Sequence, residues 1–143
     1  MKRRILVVIL AGPLLFGLPI HHLLRGQTCS DDEGMVKSYV KSIADLTSTV
    51  KKESLDDFEK DYHEQSCLSR LTLSLGMLNS LMDCLSKAAK DTTATKEQIA
   101  AIQGKLQSYT KLKSALEQDQ NTLKAAKNPK TAKSVIEQFV IAS

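Results

Sequence analysis

The chain has no tryptophan, only six aromatic side chains and only three prolines in 143 residues. So few aromatics leave no stacking platform for nucleic-acid bases. There is no glycine-rich phosphate loop, no G-x-S-x-G elbow and no C-x-x-C pair, so nucleotide cradling, serine-elbow acyl transfer and dithiol exchange have no motif to rest on. Asn79-Ser-Leu, Asn121-Thr-Leu and Asn128-Pro-Lys each miss the N-x-[ST] glycosylation pattern. Histidine is equally scarce. His21 and His22 stand near the N-terminus, and His63 is the single imidazole of the remaining chain.

A metal centre draws three or four ligands from histidine, cysteine and carboxylates, and no such cluster is visible along the chain. Asp31-Asp32-Glu33 and Asp56-Asp57 lack the loop spacing and central glycine of an EF-hand. They read as acids at helix starts, where the positive end of the helix dipole favours them. His63, between Tyr62 and Glu64, reads as a solvated surface residue. An i, i+4 thiol–imidazole pair with Cys67 is the weaker reading, since such pairs need a cleft and an orienting third group. No catalytic residue, metal or cofactor is expected, and the chain is not expected to be an enzyme.

What is present begins with a leader. Lys2, Arg3 and Arg4 precede an uncharged run from Ile5 to Ile20, and His21 to Gly26 then form a weakly polar stretch ending in a small residue. Residues 1–26 read as a signal peptide and 27–143 as the mature domain. A membrane anchor is disfavoured because a spanning helix needs about 20 apolar residues, and Pro13 and Pro19 interrupt this shorter run. Cleavage changes the charge. The whole chain carries +4, but all four leader charges (Lys2, Arg3, Arg4, Arg25) are basic, so the mature part is neutral. Basicity therefore gives no argument for nucleic acid or for a membrane after cleavage. Within the mature part, residues 27–66 carry a net −5 and residues 67–143 a net +5. This asymmetry suits attraction between the halves during folding.

Apolar residues then recur at alternating steps of three and four. Val36, Tyr39, Ile43, Leu46 and Val50 form one stripe, and Leu68, Leu71, Leu75, Leu78, Met82, Leu85 and Ala89 a second. Ile102, Tyr109, Leu116 and Leu123 fall seven apart, and Ile136, Phe139 and Val140 share a face. This is helical periodicity, with no useful run of strand alternation. Ser30-x-x-Glu33 and Thr95-x-x-Gln98 have capping-box spacing. Ser54 precedes acids, and Asn128 precedes Pro129, a proline at a tolerated helix start. The pattern predicts helices over 31–51, 54–90, 95–126 and 129–142. The fold class is all-α: a small four-helix bundle with a long central second helix. That helix carries a further stripe, Leu73, Met77, Leu81, Cys84 and Ala88, as a core helix does. Its polar start, Asp56 to Glu64, is where a kink would fall. Gly76 and Gly104 sit mid-helix, either for close helix approach or merely tolerated.

Three cysteines in a secreted chain imply one internal disulfide and one thiol left over. Cys67 and Cys84 on one continuous helix would stand about 25 Å apart, far beyond the roughly 7 Å a disulfide spans. Cys29 therefore takes one of them. A hairpin turning near Lys52 and Glu53 brings Cys29 closer to the level of Cys84 than of Cys67, so Cys29–Cys84 is the preferred bridge. Cys67 follows the polar His63-Glu64-Gln65, which predicts a thiol facing water and open to an intermolecular bridge.

The reading is a small secreted helical binding protein, non-catalytic, whose partner is an unidentified extracellular protein. It would act as a receptor ligand, an extracellular inhibitor or a venom or secretion component. The alternatives are a self-associating, coiled-coil-like structural protein, a homodimer locked by the spare cysteine, and a carrier of an apolar small molecule between helices.

Overall fold

The computed structural model describes the backbone of residues 20–139 and the side chains of residues 29–139. The predicted signal peptide falls largely outside the described residues. The order is α1 (Ile20–Val50), α2 (Leu55–Lys60), α3 (His63–Ala88), α4 (Lys96–Lys124) and α5 (Pro129–Glu137). All described regular structure is helical, as expected, but there are five helices rather than four. Among the described residues no helix is long and apolar enough to cross a membrane.

Three long helices make the frame. α3 packs against α1 on one side and α4 on the other, and α5 closes one end by touching all four other helices. The core follows the predicted stripes. Val36, Ile43, Leu46 and Val50 of α1 meet Leu71, Leu78, Leu81 and Leu85 of α3, with Leu116 and Leu123 of α4 and Ala132 and Ile136 of α5. Core coverage thins along α4 toward its start, where Ile102 and Leu106 are only partly buried.

The expected long second helix is broken. α2 ends at Lys60 with Asp61 as its cap, and Tyr62 takes φ 52°, ψ 37° before α3 begins at His63. A left-handed residue cannot continue a right-handed helix. Phe58 is the gain from the break. It is 2% exposed, so the polar stretch inserts one aromatic side chain into the core. The six residues of α2 are started by Ser54, whose hydroxyl accepts from the Asp57 N–H at 3.2 Å.

Other boundaries follow the local chemistry. Thr95 and Gln98 form the capping box at α4, and Asn128 accepts from the Thr131 N–H at 2.9 Å with Pro129 opening α5. The Ser30-x-x-Glu33 expectation fails, because α1 already runs from Ile20 and Ser30 lies inside it. Glu33 is thereby free to reach another helix. The last predicted helix ends at Glu137, and Val140 lies outside the described residues. At Gly76 and Gly104 an added Cβ would meet nothing within 4 Å, so neither glycine serves a close helix approach.

Candidate functional site: a groove at the disulfide end

Cys29 of α1 and Cys84 of α3 close a disulfide with Cα atoms 5.8 Å apart. The bridge ties α1 to the C-terminal end of α3, opposite the end that α5 closes. Beside it lies a groove of about 400 Å³, open to solvent on one side. Its apolar wall comes from Leu85 and Ala88 of α3, Ala94 of the connection, and Ala101 and Ile102 of α4. The vacancy has a simple origin. Ala88, Ala94 and Ala101 are too short to fill the space between helix ends, while farther along α4 the larger Leu116 and Leu123 do fill it.

A charged network sits on the rim. Lys105 Nζ lies 2.7 Å from Glu33 Oε2, and Lys37 Nζ lies 3.2 Å from Glu33 Oε1. The Tyr109 phenol also acts on this carboxylate and favours its charged form. The Lys105 hydrogen bond foremost, with help from Tyr109 and Lys37 and against the opposing effect of burial, lowers the Glu33 pKa to about 2. Burial first, then the Glu33 carboxylate itself, pushes the Tyr109 phenol upward. A carboxylate so held is too weak a base to take a proton near neutrality. Its role is positional: it joins the middle of α1 to α4 across the groove mouth. The groove therefore offers an apolar wall and a fixed polar rim, a surface suited to binding.

The remaining expected residues lie elsewhere. Cys67 is free, as the cysteine arithmetic requires, but it is completely buried rather than facing water. It falls four residues before Leu71 on the buried stripe of α3, so the polar residues preceding it do not set its exposure. Burial chiefly, and the charge of Asp119, push its thiol up to about 12, while Arg70 acts the other way. This removes the exposed thiol on which a bridged dimer was expected to rest.

His63 is a second correction. Its side chain is 13% exposed, not solvated, and its Nε2 lies 2.8 Å from Glu53 Oε2 and 3.9 Å from Asp61 Oδ2. Phe58 stands beside it with ring centroids 6.0 Å apart. These three residues do form a cluster, contrary to the reading from the sequence, which considered the acids separately and set His63 on the surface. The signal that was available was positional: Glu53 sits in the predicted turn and His63 in the polar stretch Asp56 to Glu64 where a kink was expected, and a bend there brings side chains from both parts together.

The groove, too, escaped the sequence. Its lining comes from three elements, and alanine carries no pattern of its own. No protein-family model, curated protein or solved structure matches this chain.

Proposed function

We propose that the mature chain is a small secreted helical protein that acts by binding an extracellular protein partner, not by catalysis. The observation that carries this reading is the alanine-walled groove of about 400 Å³ beside the Cys29–Cys84 bridge. A disulfide is compatible with passage through an oxidising compartment. It also stiffens the end of the molecule where the core is thinnest, which lowers the ordering cost of binding. The open side favours a projecting apolar side chain or a short apolar segment of a partner over a fully enclosed ligand. The Glu33–Lys105 pair at the rim supplies polar groups around that apolar centre, as at protein interfaces.

A second reading, a carrier of an apolar small molecule, draws on the volume itself, which lies in the range of small-molecule sites. One experiment addresses both. The tagged wild type and an Ala101→Phe variant, which fills the groove, are passed through the native fluid. Stoichiometric capture of one protein by the wild type and its loss in the variant is the expected result. An organic ligand extracted from wild type alone would favour the carrier. Identical captures by both would remove the groove from the function.

A further inference from the structure

We propose that Glu53, Asp61 and His63 form a binding site for one divalent transition-metal ion of the Zn²⁺ class, which clasps the end of the α1–α2 connection to the start of α3. The site is independent of the groove and of the partner-binding reading.

The local chain brings the three together. Glu53 lies just after α1, and the short α2 returns the chain after fewer than two turns, so that Asp61 and His63 arrive beside it. Tyr62, in the left-handed conformation, reverses direction between them. The buried Phe58 ring backs the imidazole. One ligand atom from each of the three residues lies within 4.8 Å of the other two.

The arrangement of these atoms is what points to an ion. His63 Nε2 and Glu53 Oε2 are only 2.8 Å apart, yet both are shielded from solvent and neither makes a hydrogen bond. The contact is an ion pair when the imidazole carries a second proton, and leaves two lone pairs facing one another when Nε2 carries none. Two lone pairs held face to face and shielded from water repel one another, and a cation between them removes that repulsion. An ion accepting a lone pair from each would satisfy both. In a tetrahedral site with bonds of 2.0–2.2 Å, ligand atoms stand about 3.3 Å apart. Glu53 and His63 need to part by roughly half an ångström to reach that spacing. Asp61 Oδ2 must come in slightly from 3.9 Å, and its side chain is 63% exposed and free to swing. One position then remains for water.

The donor set selects the ion. An imidazole nitrogen with two carboxylates suits zinc and its neighbours, whereas calcium and magnesium take oxygen ligands in larger number. Two carboxylates also neutralise the charge of a divalent ion. The buried Cys67 takes no part, since it lies outside the group of atoms that come together.

Zinc titration of the full chain, followed by calorimetry, tests the site. It is done in a His21→Gln/His22→Gln background, so that His63 is the single imidazole. One Zn²⁺ per chain should bind and raise the thermal midpoint. Asp61→Asn, an exposed change that preserves size, should weaken binding at least tenfold, and His63→Gln should abolish it. The ring signals of His63 should move during the titration. No zinc binding by the background protein, or binding of equal affinity in Asp61→Asn, would overturn the proposal. So would a midpoint raised by calcium and not by zinc.

Discussion

Asp119 of α4 stands close enough to Cys67 of α3 for its charge to act on the thiol. Burial raises the Asp119 pKa from 3.8 to about 6. Its charged form is therefore disfavoured in the folded chain. As pH rises from about 4 through 6, the unfolded chain loses this proton first, and stability falls. Glu33 acts in the opposite sense. Its pKa is lowered from 4.5 to about 2, so its contribution is present above about 4.5 and is lost as pH falls toward 2. Both side chains keep contact with solvent or with exposed lysines, so screening limits each effect to about 1 kcal/mol. Asp119→Asn should thus exceed the wild type in urea stability by about that amount at pH 7 and by nothing near pH 4. A difference that does not change with pH would refute the assignment.

The buried Cys67 thiol sets a second expectation. With its pKa near 12 and no exposure, it should not react with a disulfide reagent in the native protein. One thiol per chain should react in denaturant, and a non-reducing gel should show monomer. Rapid labelling of the native chain, or a dimer lost in Cys67→Ser, would contradict the burial of this residue.

The Cys29–Cys84 bridge joins positions 55 residues apart in the chain. A loop of that size corresponds to about 4 kcal/mol of stabilisation in the chain-entropy account. Replacing both cysteines with alanine should cost at most that much, measured by the urea midpoint. The loss should be uneven. Amides around Leu85, Ala88 and Ile102 should lose exchange protection first, because few large side chains hold that end. Those near Leu123 and Ile136 should keep theirs, since both side chains are fully buried. Uniform loss along the chain would show that the bridge stabilises the whole fold without organising the groove end.

The helical class and the core faces were legible in the sequence because they repeat. Leu71, Leu78 and Leu85 fall seven apart, and all three are buried. Rise per residue alone was enough to prefer Cys84 over Cys67 as the partner of Cys29. The break at Tyr62 was not legible in the same way. Its left-handed conformation is one that sequence patterns assign to glycine or asparagine, and Tyr62 is neither. The kink expected within Asp56 to Glu64 does fall there, at Tyr62, but as a full break, and the burial of His63 and of Cys67 beyond it was missed because both were judged by their neighbours in sequence. Groove and ion cluster arise from tertiary juxtaposition, which periodicity does not encode.

Glycine and non-glycine residues sit in each other's preferred places at two points of this fold, and exchanging each should stabilise it. Tyr62 is 70% exposed and has φ 52°, where a side chain costs about 1–2 kcal/mol. Glycine removes that cost and returns part of it as extra freedom in the unfolded chain. Tyr62→Gly should therefore gain about 0.5–1 kcal/mol. Gly76 shows the reverse case. It lies in the interior of α3 with no positive φ, and an added methyl would touch nothing. Gly76→Ala should gain about 0.8–1 kcal/mol from helix propensity alone. Tyr62 precedes α3 and Gly76 lies nearly four turns along it, so the double variant should gain close to the sum. Urea unfolding at neutral pH measures all three. A loss of stability in Tyr62→Gly would mean that its ring contributes packing at the joint, and a loss in Gly76→Ala that a neighbour occupies the space beside it.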